Sequence, residues 1–201
     1  MESSFQHLLG NSWSDPHLSD YTSNALRLFL EGLEQVRESQ VLDVGSVCGD
    51  NIRFFAQRVK RLYICDMFFH LNRDQCDTLP PNQFWKHLDY PPQSFHGILL
   101  WNLVDHLEDG EVSRMAERCY DMLKPGGMIL GSLTGKSVVG TIACSFVVKD
   151  DYRLNINPKP DMDCPLHVRS NREVLELLSL FTPVKSFLYQ NGLREYLFRH
   201  D

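Results

Sequence analysis

The sequence predicts an α/β protein: a doubly wound, mostly parallel sheet of seven strands that ends in a C-terminal antiparallel hairpin. Short apolar runs alternate with stretches whose apolar residues recur every three to four positions, the pattern of buried strands separated by half-buried helices. The last two apolar runs, 184–189 and 193–198, flank Gln190-Asn191-Gly192, and Asn-Gly between strand-like runs marks a tight hairpin. A length of 201 residues suffices for one domain with a full hydrophobic core, so residues 1–201 read as a single unit.

Residues 21–37 place Ala25, Leu26, Phe29, Leu33 and Val36 on one helical side. Residues 1–38 then read as an N-terminal helical flap containing Trp13, His17 and Tyr21. Val41-Leu42-Asp43-Val44-Gly45 reads as a buried strand. A helix over 51–60 follows, with Ile52, Phe55, Ala56 and Val59 on its inner face. A second strand, 62–65, ends at Asp66. Residues 84–88 read as a third strand ending at Asp89, and 95–101 as a fourth. The helix over 109–123 stops at Lys124-Pro125-Gly126-Gly127, where a cation, a helix breaker and two glycines coincide; 128–133 is a fifth strand. Residues 134–168 form a long connection, read as a lid or substrate-binding insertion. Ser170-Asn171-Arg172-Glu173 is a capping box, and the helix behind it buries Val174, Leu177, Leu178 and Phe181.

Composition narrows the function. The net charge of -6, from 20 Lys and Arg against 26 Asp and Glu, gives no general attraction to nucleic acid, whose binding is dominated by phosphate neutralisation. No apolar stretch is long enough to span a bilayer, and the first residues lack the basic start and apolar segment of a secretory signal. Six cysteines without a CxxC pair argue against a zinc ribbon or thioredoxin-type site and read as reduced thiols of a cytoplasmic protein. The segment 161–167 holds metal-ligand residue types, but no second Cys/His pair lies at useful spacing, so it reads as a solvated loop and no metal is expected.

In a doubly wound sheet, ligands bind beyond the carboxyl ends of the strands. Three carboxylates lie near those ends: Asp43 within the first strand, Asp66 after the second and Asp89 after the third. The turn Gly45-Ser46-Val47-Cys48-Gly49 can bring backbone close to a ligand, and Asp66 lies about twenty residues further on, where an acid accepts hydrogen bonds from both ribose hydroxyls. This layout predicts a nucleoside-containing ligand.

VLDVGSVCGDN, YICDM, HLDY, ILLWNLVDHL and LKPGGMIL, in that order between about Val41 and Leu133, resemble the class I S-adenosylmethionine-dependent methyltransferases. The resemblance implies S-adenosylmethionine as cofactor. Gly45 and Gly49 would flank its methionine part, and Asp43 would open that loop. Asp66 would hold the ribose, with Met67, Leu88 and Asp89 beside the adenine, while Trp101 and Asn102 would face the cofactor from the fourth strand. His106 is the best-placed general base, with Tyr152 and His167 as further candidates. A small-molecule acceptor is expected, its pocket built from about Ser137 to His167 and from Trp13 to Tyr21. One position departs from the family's three-glycine loop: the middle glycine is Val47, whose branched side chain is expected to narrow the loop. It motivates the alternative of a catalytically degenerate binding or scaffold protein. An NAD-dependent oxidoreductase would need G-x-G-x-x-G after the first strand, whereas here the glycines are four apart and the terminal hairpin is left unexplained.

Overall fold

The computed structural model of the chain describes residues 20–76, 84–134, 144–159, 162 and 164–201. It begins with strand β1 (Asp20–Thr22) and helix α1 (Asn24–Glu34). The Ser23 side chain caps α1 by accepting from the Leu26 amide at 2.9 Å. The inner stripe of α1 buries Ala25, Leu26, Phe29, Leu30 and Leu33. Phe29 lies so close to the sheet that a Cβ on Gly97 would sit 2.4 Å from its ring, which explains a glycine in mid-strand.

Strand β2 (Gln40–Asp43) leads into α2 (Gly49–Ala56), and β3 (Arg61–Ile64) into α3 (Met67–Cys76). The buried face of α2 is rotated from the expected one: Asn51, Phe54 and Phe55 point inward, and Ile52 is 36% exposed. Strand β4 (Phe95–Trp101), a 3-10 turn over Leu103–His106, α4 (Asp109–Met122) and β5 (Leu123–Leu133) complete the first half. Strands β6 (Cys144–Val148) and β7 (Arg153–Pro158), helix α5 (Asn171–Leu177) and the hairpin β8 (Thr182–Leu188) and β9 (Arg194–Arg199) follow. The capping box at α5 is present, with Ser170 and Glu173 exchanging side chain-to-backbone bonds. Among the described residues, no helix is long and apolar enough to cross a membrane.

The main sheet has the order β3-β2-β4-β5-β9-β8, with the first four strands parallel and β9 and β8 antiparallel. Among the described residues it therefore contains six strands, not seven. The missing one is 84–88, which winds into a 3-10 helix rather than a strand. Trp85 and Leu88, three positions apart, are both buried, while Lys86 and His87 between them are exposed. That spacing is the 3-10 repeat and cannot alternate across a sheet.

Half of the long connection also has structure that periodicity did not foretell. Strands β6 and β7 pair with β1 in a second, antiparallel sheet of order β1-β7-β6. Phe146, Val148, Leu154 and Ile156 of this sheet pack with α1 and α2 residues in one core cluster. The Asn51 side chain stitches α2 to β6, donating to the Phe146 carbonyl and accepting from the Val148 amide, each at 2.7 Å. The opposite face of the main sheet is covered by α3, α4 and α5 in a second cluster.

Candidate functional site

Asp43, the last residue of β2, is buried, and its Oδ1 accepts from the Gly45 amide at 2.9 Å and from the Trp101 indole N–H at 2.7 Å. Burial pushes its carboxyl up to about 6, against the pull of these two bonds. Trp101 ends β4 with φ at 48°, a left-handed conformation that bulky residues rarely adopt. Its indole lies on the loop: a Cβ on Gly45 would stand 2.1 Å from Trp101 Cδ1. It also stacks on Phe146 of β6, with centroids 5.8 Å apart and planes at 15°. Gly45 is thus required by the indole. A Cβ on Gly49 would meet nothing within 4 Å, so this end of the loop faces open space.

Asp66 follows β3 and joins the loop to α3. Its Oδ2 accepts from the Val47 amide and its Oδ1 from the Phe69 amide, both at 2.9 Å. Each carboxylate oxygen keeps a further lone pair. Around it Val47, Ile64 and Phe69 are 52%, 37% and 56% exposed. Exposed apolar side chains flanking a carboxylate with spare acceptor capacity suit a sugar bearing a heterocyclic base.

Val47 sits in this loop without a strained backbone. Its side chain faces solvent, and it is not among the residues with positive φ. Val47→Gly is therefore expected to change affinity for S-adenosylhomocysteine by less than about threefold, under 1 kcal/mol; a tenfold gain in a calorimetric titration would show that the branched side chain obstructs the site.

Met67 and Leu88 are fully buried in the core rather than lining a cleft. The turn that carries Leu88 is held to the end of β3 by the Cys65 thiol donating to the His87 carbonyl at 3.3 Å, and His87 stacks on His70. Asp89, just beyond, is exposed.

Asn102 and His106 lie on the turn after β4, both buried. His106 Nδ1 is 2.9 Å from the Pro165 carbonyl, which only accepts, so this nitrogen carries the proton and donates. Nε2 then accepts from the Asn102 amide nitrogen at 3.1 Å. Burial lowers the His106 pKa, so the ring is neutral near pH 7 with both nitrogens engaged. Asp105, unflagged in the sequence, is 1% exposed, and its Oδ2 accepts from the Thr134 amide and hydroxyl at 2.6 and 2.7 Å. Its sequence signal was an ionisable residue directly after the apolar pair Leu103-Val104 and two positions before Leu107. Arg169 braces the same turn, donating to the carbonyls of Val104 and Leu107 and pairing with Asp109 at 2.7 Å. Of the other base candidates, His167 donates its amide to the Asp105 carbonyl at 2.7 Å, and Tyr152 packs edge-on against Phe54. Tyr21 pairs with Leu154 of the second sheet, whereas Trp13, His17 and Ser137 lie outside the described residues.

No protein-family model and no curated protein sequence matches the chain. Solved structures do match. A methyltransferase from Mesorhizobium loti, described as S-adenosylmethionine dependent, aligns with a TM-score of 0.56 at 13% identity, over 88% of this chain and 98% of that one. The N-methyltransferase NodS of Bradyrhizobium japonicum aligns at 0.53 and 15% identity, over 95% and 98%. The 1,6-didemethyltoxoflavin-N1-methyltransferase of Burkholderia thailandensis, solved with that substrate and S-adenosylhomocysteine, aligns at 0.52 and 18% identity, over 98% and 84%. The six-stranded sheet with its terminal antiparallel pair therefore has the fold of the class I S-adenosylmethionine-dependent methyltransferases.

Proposed function

We propose that this chain transfers a methyl group from S-adenosylmethionine to a small-molecule acceptor. The observation that carries this reading is Asp66: a carboxylate fixed by two backbone amides, with spare lone pairs, exposed apolar neighbours and open space at Gly49 nearby. In this reading Asp66 holds the ribose hydroxyls, and Asp43, Gly45 and Gly49 shape the loop beside the methionine part. Met67 and Leu88 support the adenine side from the core beneath it, with exposed Asp89 beside them, and Trp101 and Asn102 lie on the cofactor side at the end of β4. The bound cofactor supplies an activated methyl on a sulfonium, whose leaving group is a neutral thioether. The protein's share is to hold the acceptor in line with it, which alone supplies much of the rate. His106, neutral and engaged at both nitrogens, holds Asn102 in place. Phe146, His167 and Tyr21 belong to the segments that would cover the acceptor. Net charge favours a small molecule over nucleic acid, and the structurally similar 1,6-didemethyltoxoflavin-N1-methyltransferase holds one.

Calorimetric titration with S-adenosylmethionine tests the assignment. Asp66→Ala removes two charge-assisted bonds to the ribose, each about 1.5–3 kcal/mol, so affinity is expected to fall at least about hundredfold. Parental affinity in that variant would move the nucleoside site elsewhere.

The indole resting on Gly45 favours a second reading, a protein that binds the nucleoside without turnover. It predicts equal affinity for adenosine and S-adenosylmethionine; the methyltransferase reading predicts a clear preference for the latter.

A further inference from the structure

Among the described residues, three polar atoms on or beside the turn that follows β4 are buried without a hydrogen-bond partner: Asn102 Oδ1, Asp105 Oδ1 and His167 Nε2. Buried polar groups in folded proteins are almost always paired, so several orphans on neighbouring, linked segments are a sign of a missing partner. They belong to one linked group, because His167 is tied by its amide to the Asp105 carbonyl, and Asn102 and Asp105 share one short turn. Two of the three are also aimed by what their other atoms do. The Asp105 carboxyl is fixed through Oδ2 by both donors of Thr134, which leaves Oδ1 to offer. The Asn102 amide spends its nitrogen on His106, which leaves its oxygen. Arg169 holds the turn rigid through the carbonyls of Val104 and Leu107. Two of the three orphans only accept when Asp105 is ionised, and the imidazole nitrogen accepts or donates. What completes such a set is a molecule that donates.

We propose that Asn102, Asp105 and His167 recognise the methyl acceptor, and that this acceptor presents an amine or a hydroxyl to Asp105 Oδ1. The assignment rests on the methyltransferase reading above. Position supports it: Asn102 directly follows Trp101 at the end of β4, and Thr134 directly follows β5, the edge at which a doubly wound sheet binds its ligands. Burial pushes the Asp105 carboxyl up to about 7, so near neutral pH it can take a proton as well as accept a hydrogen bond. In the transfer, the lone pair of the acceptor nitrogen or oxygen forms the new bond to carbon as the carbon–sulfur bond breaks. The broken bond's electron pair stays on sulfur, and the acceptor's proton passes to the Asp105 carboxylate and then to solvent.

The test is calorimetry on the full chain saturated with S-adenosylhomocysteine, using 2-phenylethylamine, 2-phenylethanol and 3-phenylpropionate as probes of similar size. The amine and the alcohol are expected to bind, and the carboxylate at least tenfold more weakly than either. Asp105→Asn is expected to weaken the amine at least tenfold while leaving S-adenosylhomocysteine affinity within threefold. Asn102→Ala, which keeps the Thr134 contacts, is expected to weaken the amine as well, measured at saturation with S-adenosylhomocysteine whatever that variant's own cofactor affinity. Carboxylate binding equal to that of the amine, parental amine binding in both variants, or no binding by any probe to the S-adenosylhomocysteine complex overturns the proposal alone. Absence of S-adenosylhomocysteine binding by the parent overturns the methyltransferase reading, and the acceptor role with it.

Discussion

Glu195→Ala is expected to lower the free energy of unfolding by about 4 kcal/mol, measured by urea denaturation at neutral pH. Glu195 sits in β9 with no exposed surface. Its carboxyl receives the Tyr21 hydroxyl at 2.9 Å, the Tyr189 hydroxyl at 2.6 Å and the Ala25 amide at 3.3 Å. The two tyrosine rings pack at 4.6 Å, and the Tyr189 oxygen in turn accepts from the Asn24 amide at 2.9 Å. One carboxyl therefore joins the main sheet, the first strand of the second sheet and the start of α1. Truncation to alanine strands one buried and two partly buried donors and leaves a cavity, and each stranded donor costs about 1–3 kcal/mol. Glu195→Gln keeps one acceptor oxygen and the volume, so its loss is expected to be about 1–2 kcal/mol. A loss below about 1 kcal/mol for the alanine variant would show that water replaces the carboxyl at no great cost. Because Ser132 of β5 is paired with Glu195, this junction lies at the same sheet edge as Asp105 and Thr134. The variant is expected to loosen the N-terminal strand over that edge.

What was legible in the sequence was mostly local. The strands at 41–45, 62–65 and 95–101 are short and apolar, and their inner residues have one environment available to them. The capping box at Ser170 and the hairpin at Asn191-Gly192 are written in three or four adjacent residues. The 84–88 segment was misread because five residues with two aromatics suit a strand by composition, whereas the decisive spacing, Trp85 to Leu88, is that of a 3-10 turn. The second sheet was missed because β1 and β7 pair across more than 130 positions, beyond any pattern within a window. The site divides in the same way. Asp43, Gly45 and Asp66 follow from strand ends and a turn. Nothing near Gly45 announces that Trp101 will rest on it, nor does Asp105 announce its bond to Thr134, since each contact exists only once distant strands are side by side.

Stability is expected to fall as pH rises from 4 to 7, and Asp105 is expected to carry the largest resolved share of that fall. Its unfolded carboxyl titrates near 3.8, while in the folded chain burial raises it to about 7 against the pull of the Thr134 bonds and of Arg169. The folded state therefore holds this proton more tightly than the unfolded one. Below pH 4 both states are protonated, and the full contribution is present. Between pH 4 and 7 the unfolded state has released the proton and the folded state has not, so stability declines by about 1.4 kcal/mol per pH unit. Above pH 7 both states are ionised and the contribution is gone. Between pH 5 and 7 this amounts to about 2 kcal/mol for Asp105. Asp43, raised to about 6 by the same cause, adds about 1 kcal/mol in the same direction. Asp105→Asn cannot titrate, so it keeps only the Asp43 part and the shares of other carboxyls common to both proteins, such as Glu195. Urea denaturation of parent and variant at pH 5 and pH 7 isolates the difference. The parent is expected to lose about 2 kcal/mol more than Asp105→Asn across that interval. Parallel losses would mean that Asp105 is ionised in the folded chain well below neutrality, stabilised by Thr134 and Arg169 more than burial penalises it. The proton acceptor proposed for the transfer would then be a far weaker base than the buried carboxyl requires.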